Sequence, residues 1–543
     1  MFCKFTFNKN NHEKIENYES YSLLITNRNF FLIGDITLYN SKELIKNNNL
    51  RKNLSNNDII INLYLKYGSD FIKLLYGEYS FILYDVSKDY LLFVKDLTSR
   101  SMIYYYKTSQ YIVFSSSLKK IVESTKFKLN IKRYFQITSI FTLYQNETYF
   151  KNVYFLRKKE YGIINNNNFE MKNYYSVPKK KIYYKNKVEY YEHFEELIQE
   201  SLRNRLENYN KVGIMLSGGL DSTTIAHEFS NLYKNKILYS YTHIPQYKTI
   251  HAKKTTDESN LVIDFLKTHP NIKGTFINSK NRDIITPLFE SLEIHPEPPT
   301  TSNNLYWLFD IINHSKKDNI EALIIAQKGN LTISWPSLLF YNLFYKKDYK
   351  NIKTTLITLG KKIFIYDKYY QLKKRNELIN FIKKDAILTS VSKDLYITQI
   401  KNYPINYQLK RSLREQWLFS NKITPFIEQK KPKIIDPSSD IKLIEFLFNI
   451  PDELYNTPFD KKFLNKYLQG RIPNSIINNK KKGYQSSDID IRIAKAQKHI
   501  RDIVITKLKD LDLIKKYYNL NNKNISKINL KELQKMLFLY KLN

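Results

Sequence analysis

The stretch from Lys211 to Thr224 reads KVGIMLSGGLDSTT and decides the fold of the second part of the chain. Its apolar run, VGIML, is short and continuous, which is typical of a strand buried on both faces. The residues after the bend, DSTT, are types that begin helices. Gly218 and Gly219 let backbone N–H groups turn toward an anion, and a helix N-terminus adds partial positive charge. The stretch therefore predicts a phosphate-binding turn.

This turn differs from the common phosphate loop, in which a lysine reaches the terminal phosphates. No lysine follows here, and the position of Asp221 suits a bound magnesium pyrophosphate. SGGLDS resembles the pyrophosphatase loop of the ATP-pyrophosphatase superfamily, which cleaves ATP between the α and β phosphates. The alternative is a turn that only joins strand to helix. The residues expected to hold ATP and pyrophosphate here are Leu216, Ser217, Gly218, Gly219, Leu220, Asp221 and Ser222.

Composition limits the class of protein. The chain has 543 residues, enough for two or three domains, and 42% of them are apolar. No run of 18 or more uncharged apolar residues occurs and the first residues lack a secretory signal pattern, which predicts a cytoplasmic protein without membrane insertion. Cys3 is the only cysteine, so an intramolecular disulfide and a cysteine-based metal cluster are excluded.

The formal net charge of +35 would ordinarily suggest nucleic acid as a partner. However, the lysines are spread along the chain among Asn, Ile and Tyr rather than clustered. A solvated basic surface is therefore favoured over a nucleic-acid face, while an acidic or peptide partner stays open.

Two domains are predicted. Residues 1–180 read mainly as short strands bounded by turns, including 79–84, 90–94, 103–106 and 111–114. Residues 186–543 begin with a helical pattern ahead of SGGLDS, and strands at 237–242 and 322–325 then alternate with helices. That alternation is typical of a parallel α/β sheet, with the ligand beyond the carboxyl ends of the strands.

Longer segments resemble the asparagine synthetase family. Residues 58–106, from DIIIN to IYYY, are similar to its N-terminal glutaminase-type domain, an N-terminal-nucleophile (Ntn) hydrolase fold. SGGLDS, Asp257-Glu258 and GRIPNSIINNKKKGY (470–484) are similar to its synthetase domain. The resemblance implies an α/β protein with a β-rich Ntn-like sandwich followed by an ATP-pyrophosphatase domain with a helical extension.

One departure concerns glutamine hydrolysis. Glutamine-hydrolysing members expose a cysteine directly after the initiator methionine, whereas Phe2 stands there in this chain and Cys3 follows. The glutaminase-type domain is therefore expected to be degenerate, with Cys3 a buried or idle thiol.

A second departure concerns ALIIAQKGNLTISW (322–335). By the resemblance, Ala326 belongs to the ATP site, Gln327 takes an acidic catalytic position and Asn330 replaces a magnesium-binding aspartate. Three segments are similar to the cyclases of lasso peptide biosynthesis: QKGNLTISW, the DPSSD segment with Asp436 and Asp440, and KKKGYQSSD (480–488). Those enzymes adenylate an Asp or Glu side chain of a precursor peptide and close a macrolactam.

The remaining predicted site residues follow from the same resemblance. Lys481, eight residues after Pro473, takes the position of the catalytic lysine, although Lys480 to Lys482 would otherwise read as a solvated loop. Thr242, at a strand end, is expected near the adenine. The residues expected near the substrate are Asp257, Glu258, Asp436, Asp440, Tyr484 and Gln485, with helix capping as the alternative for the aspartates. Tyr306, Trp307 and Trp335 would floor a peptide pocket or lie in the core.

These observations favour an AMP-forming, ATP-dependent ligase that cyclises a precursor peptide, and the need for a leader-binding or protease partner stays open. Three alternatives stay open: an asparagine synthetase that uses ammonia or glutamine, an RNA-modifying adenylating enzyme, and a non-catalytic scaffold.

Overall fold

The computed structural model describes residues 1–6, 15–19, 23–26, 30–98, 101–124, 127–135, 146–165, 168–252, 254–299, 301–334, 376–402, 432–451, 454, 462–479 and 481–542. Trp335 and Lys480 lie outside these residues. No helix in the described part of the chain is long and apolar enough to cross a membrane.

Two antiparallel sheets form the N-terminal part. Their strands are β1 (Phe2–Thr6), β2 (Ile15–Glu19), β3 (Leu23–Thr26), β4 (Phe30–Leu38), β5 (Gly77–Asp85), β6 (Tyr90–Lys95), β7 (Tyr104–Lys107), β8 (Tyr111–Ser115), β9 (Val153–Phe155), β10 (Glu160–Asn165) and β11 (Asn168–Asn173). One sheet has the order β2-β1-β8-β7-β9 and the other β11-β10-β6-β5-β4-β3. The predicted strands of this region are confirmed.

Apolar side chains between the sheets form the sandwich core, which includes Cys3, Phe93 and Phe114. Helices α1 (Ser41–Asn47) and α2 (Asn56–Tyr67) cover the outer face of the six-stranded sheet. Cys3 is 1% exposed, and burial raises the pKa of its thiol to about 12. The thiol therefore stays protonated, which does not suit a nucleophile.

A parallel sheet forms the second part. Its strands are β12 (Val212–Met215), β13 (Leu238–His243), β15 (Ile272–Ile277), β16 (Ala322–Ile324) and β17 (Lys433–Ile435), in the order β15-β13-β12-β16-β17. The central position of β12 explains its continuous apolar run, because both of its faces are covered. The mixed α/β fold class, with an Ntn-like sandwich and a parallel synthetase-type sheet, is confirmed. Strands β14 (Lys254–Thr255) and β18 (Lys482–Gly483) pair separately.

Helices surround both sheets. Their bounds are α3 (Leu118–Ser124), α4 (Ile131–Tyr134), α5 (Lys187–Leu206), α6 (Leu220–Leu232), α7 (Ser259–Thr268), α8 (Thr286–Ile294), α9 (Leu305–Lys317), α10 (Ser390–Asn402), α11 (Ile441–Asn449), α12 (Lys462–Leu468), α13 (Asn474–Ile477), α14 (Ile489–Ile503), α15 (Asp512–Tyr517), α16 (Asn522–Ile525) and α17 (Leu530–Leu542). Strand β11 ends at Asn173 and helix α5 begins at Lys187, so the proposed boundary between 1–180 and 186–543 falls between them.

The sandwich and the C-terminal helices share one hydrophobic core. Tyr134, Tyr149 and Phe150 from the sandwich side pack against Phe538 of α17. The Tyr134 and Tyr518 hydroxyls are 2.8 Å apart, across 384 residues of sequence. The C-terminal helices therefore supply the outer layer of the five-stranded antiparallel sheet, β2-β1-β8-β7-β9.

A buried ion pair also joins the two parts. Arg205 of α5 donates through Nη1 to Asp440 Oδ2 at 2.7 Å and through Nε to Glu78 Oε1 at 3.1 Å. The Tyr76 hydroxyl donates to the same Asp440 oxygen at 2.9 Å. Both side chains of the Arg205–Asp440 pair are almost fully buried. Each charge therefore depends on the other for compensation.

We expect Asp440→Ala to lower the free energy of unfolding by about 3 kcal/mol or more, because it leaves Arg205 buried without its closest carboxylate. The shift of the urea unfolding transition measures this change. Asp70→Ala is the matched control, since it removes an exposed ion pair with Lys73 that contributes little to stability. Equal shifts for both variants would show that the buried pair is not stabilising.

Candidate active site

A cavity of about 350 Å³ opens at the carboxyl ends of β12, β13 and β16. This is the edge where parallel sheets bind ligands. Its lining comprises Met215, Leu216, Ser217, Gly219, Asp221, Ser222, Tyr241, Thr242, His243, Pro245, Thr256, Glu258, Thr301, Asn304, Trp307, Leu308, Ile311, Ile325, Ala326, Gln327, Asn330, Ile434, Tyr484, Gln485, Ser486 and Ser487. The cavity therefore brings together most of the residues predicted to form the site.

The SGGLDS turn forms one end of the cavity. Gly218 has a φ of +57°, a backbone conformation that favours glycine. The Ser222 hydroxyl accepts a hydrogen bond from the Ser217 N–H at 3.2 Å, which closes the turn. Helix α6 begins at Leu220, and its N-cap Gly219 has no capping side chain. The first N–H groups of the helix are thus available to an anion. Gly218 and Leu220 belong to the turn but do not line the cavity.

Asp221 lies directly against the loop after β16. A Cβ built on Gly329 would come within 2.5 Å of the Asp221 Cβ and 2.9 Å of its Oδ1. Only glycine therefore allows this approach. Asn330 joins Asp221 in the lining, which gives one carboxylate and one amide oxygen donor. Oxygen donors of this kind fit Mg²⁺, which uses one or two carboxylates together with phosphate oxygens.

Ala326 and Gln327 follow β16 and line the cavity as predicted. Asp436 lies outside the lining: it accepts hydrogen bonds from the Lys328 N–H at 3.1 Å and from the Ser438 N–H at 3.2 Å. It therefore positions the loop that carries Gln327, and its predicted place at the substrate is corrected.

Asp440 also lies outside the lining. Besides its ion pair with Arg205, it caps α11 by accepting a hydrogen bond from the Lys442 N–H at 2.9 Å. Its predicted substrate role is corrected for the same physical reason: a buried carboxylate that is already paired and capping a helix does not face the cavity.

The acidic pair before α7 divides between two roles. Asp257 is exposed and accepts a hydrogen bond from the Ser259 N–H at 2.9 Å, so it caps the helix start instead of lining the cavity. Glu258 lines the cavity, and a Cβ built on Gly483 would come within 2.6 Å of its carboxylate oxygens. Burial, together with the neighbouring Asp257 charge, raises the pKa of Glu258 to about 7.

Thr242 is the next-to-last residue of β13 and lines the cavity. Its hydroxyl donates to the Leu216 carbonyl at 2.8 Å. Thr242 thereby ties the end of β13 to the residue that precedes the SGGLDS turn.

Tyr484 and Gln485 line the cavity, whereas Lys481 does not. Lys481 is exposed, and its N–H donates to Asn479 Oδ1 at 3.0 Å. The predicted catalytic role of Lys481 thus stays a prediction. Tyr306 is buried and belongs to the core, while Trp307 reaches the cavity.

Residues that sequence reasoning missed include His243, Asn304 and Ser486, which all line the cavity. Asp488, the last residue of the KKKGYQSSD motif, is fully buried and holds the segment after β18 against the rest of the domain. Its Oδ2 accepts from Gln246 N–H and Arg492 Nε, both at 2.9 Å. The spacing of Asp488 and Arg492, one helical turn apart, is the signal that could have identified this pair.

Comparisons with known proteins agree with this architecture. Residues 23–175 match the family described as glutamine amidotransferase domain, and residues 193–325 and 436–524 match the asparagine synthase family. Two relatives from Methanocaldococcus jannaschii are described as putative asparagine synthetases (glutamine-hydrolyzing) 2 and 1. The first is 29% identical over 42% of this chain and 45% of its own length. The second is 27% identical over 42% of this chain and 41% of its own length.

The chain thus spans less than half the length of these curated relatives. Among solved structures, the U34-tRNA thiolase NcsA from Methanococcus maripaludis is 16% identical, with 59% of this chain and 83% of that chain covered at a TM-score of 0.25. The two matched families follow one another in the order of the sandwich and the parallel sheet. The sandwich is therefore similar to a glutamine amidotransferase domain, and the part of the chain with the parallel sheet is similar to the asparagine synthase family.

Proposed function

We propose that this protein is an ATP-dependent ligase that activates a carboxylate as an acyl-adenylate and joins it to an amine. The substrate is a precursor peptide, and the product is a macrolactam of the lasso type. The observation that carries the proposal is the cavity itself, which unites the SGGLDS turn with Gln327, Asn330 and Gln485.

In the first step, a carboxylate oxygen of the substrate attacks the α-phosphorus of ATP. The bond from that phosphorus to the bridging oxygen breaks, and pyrophosphate leaves. Backbone N–H groups at the start of α6 hold the departing phosphates. Bound Mg²⁺, held by Asp221 and Asn330, would neutralise phosphate charge. Gln327 orients the reacting groups through an amide and does not supply a carboxylate.

In the second step, the amine nitrogen attacks the acyl carbon. AMP leaves with the electron pair of the broken acyl–oxygen bond, and the nitrogen loses one proton. The peptide therefore loses one water overall. Lys481 stabilises the charge that develops on oxygen.

The nitrogen comes from the substrate's own amine in this proposal. The Cys3 thiol is buried in the sandwich core, so it does not serve glutamine hydrolysis. A leader-binding or protease partner would deliver the precursor. The excess of positive charge on this chain favours an acidic precursor peptide.

A second candidate is asparagine synthesis from aspartate and free ammonia. The names of the two matched relatives favour asparagine synthesis in general, since both are described as putative asparagine synthetases (glutamine-hydrolyzing). The glutamine-dependent form of that reaction is less well supported, because it needs an accessible nucleophile in the sandwich domain.

Purified protein with Mg-ATP is expected to release pyrophosphate with precursor peptides that carry an internal Asp or Glu, and to yield a product lighter by one water. Pyrophosphate release and product mass measure the reaction, with Asp221→Ala as the inactive control. Release with aspartate and ammonia alone would establish the second candidate. Absence of pyrophosphate release with every substrate would contradict both enzymatic proposals and favour a non-catalytic scaffold.

Lys481→Ala is expected to lower the turnover number by about 100-fold or more, because it removes a fixed positive charge from charge-rich steps. Lys482→Ala is the matched control, since Lys482 is also exposed and lies in the next position of the chain. Similar losses in both variants would contradict a specific role for Lys481. Binding of Mg-ATP, measured by calorimetry, should persist in both.

Gly329→Ala is expected to weaken Mg-ATP binding about tenfold or more, because the added Cβ displaces Asp221 from the cavity. Calorimetric titration measures the affinity, and thermal unfolding confirms that the variant is folded. An affinity equal to that of the unchanged protein would show that the close approach of Gly329 does not position Asp221.

A further inference from the structure

The side of the cavity that faces the SGGLDS turn is built from α9 and the segment after β18. Asn304 Nδ2 donates to Gln485 Oε1 at 3.2 Å, and Ser486 Oγ donates to Asn304 Oδ1 at 2.7 Å. Trp307 Nε1 donates to Ser486 Oγ at 2.8 Å. We call His243, Asn304, Trp307, Gln485 and Ser486 the aromatic wall. Its hydrogen bonds hold the two segments in one fixed arrangement.

The face of the aromatic wall is flat and uncharged. The rings of His243 and Trp307 stack with centroids 5.3 Å apart and an angle of 11° between their planes. The His243 Nδ1–H donates to the Ile277 carbonyl at 3.1 Å. Burial lowers the pKa of His243 to about 4, so its ring is neutral near pH 7. Leu308 and Ile311 extend the same apolar lining.

The charges of the cavity bear on the choice between free aspartate and a peptide. Among the described lining residues, the acidic side chains are Asp221 and Glu258, and neither lysine nor arginine contributes. The α-carboxylate of free aspartate would therefore find no cationic side chain in this lining, and its transfer from water without such a partner costs free energy. An Asp residue within a peptide has neutral amide groups in place of its α-carboxylate and α-ammonium, so it avoids this cost.

We propose that the aromatic wall is the specificity site for the residue next to the reacting Asp or Glu of a peptide, and that it selects an aromatic or apolar neighbour. This inference rests on the proposed function and adds the substrate class to it. The stacked rings receive the neighbouring side chain, because aromatic pairs gain from offset or edge contacts. The amide of Gln485, which is exposed toward solvent, is placed to meet the peptide main chain.

The test measures equilibrium binding separately from turnover. Mg²⁺ and α,β-methylene-ATP are added so that the bond to be cleaved stays intact, and calorimetry follows the binding of acetyl-Asp-Phe-amide, acetyl-Asp-Gly-amide and free aspartate. The phenylalanine peptide is expected to bind about tenfold or more tightly than the other two. Equal affinities, or a preference for free aspartate, would overturn the proposal.

Variants locate the effect on the aromatic wall. Trp307→Ala should abolish the preference for the phenylalanine peptide while leaving the glycine peptide unaffected, and Trp307→Phe should retain most of the preference because a ring remains. Tyr183→Ala is the matched aromatic control, since Tyr183 is 76% exposed and lies outside the cavity lining. Gln485→Ala provides a second variant at an exposed side chain, and it should weaken the binding of both peptides equally. An unchanged preference in Trp307→Ala would overturn the proposal.

Pyrophosphate–ATP exchange with ordinary ATP then separates the two proposals. Selective binding without exchange would refute adenylation and leave the specificity of the aromatic wall established. Exchange that is supported equally by all three carboxylates would leave adenylation standing and overturn the selectivity.

Discussion

The carboxylate of Asp488 is the contact on which the site depends most. It accepts hydrogen bonds from the Gln246 and Tyr247 backbone, the Tyr306 hydroxyl and the Arg492 guanidinium. Arg492 in turn donates to the carbonyls of 278 and 279, just beyond the end of β15. The Asp488–Arg492 pair thus joins four elements: the segments that follow β13 and β15, helix α9 and helix α14. Because both partners are buried, moving the wall segment would leave charges without compensation.

The two ends of the cavity are shaped by different physical means. At the phosphate end, glycine matters: Gly218 allows the turn, and Gly329 allows the loop to touch Asp221. At the other end, side-chain hydrogen bonds and a stacked ring pair set the shape. The first end needs backbone N–H groups that approach an anion. The second end needs a fixed surface that binds some substrate side chains more tightly than others.

The parts of the fold that could be predicted from sequence are those with a strong local signal. VGIML followed by two glycines marked β12, the turn and α6, since a buried parallel strand and a helix start are both encoded within a few residues. His243, Asn304 and Ser486 could not be found this way, because they come together only through tertiary contacts across up to 243 residues of sequence. Asp436 and Asp440 were expected at the substrate because of their motif, yet capping and ion pairing occupy their carboxylates.

The shared core of sandwich and C-terminal helices sets a constraint on how the chain is made. During synthesis the sandwich emerges first, with the faces of Tyr134, Tyr149 and Phe150 lacking the layer that covers them. The covering residues Tyr518 and Phe538 follow more than 380 residues after Tyr134. Contacts so distant in sequence form slowly, and exposed apolar sheet faces aggregate in the meantime. The sandwich therefore serves folding whatever the source of the reacting amine, because it and the C-terminal helices share one hydrophobic core.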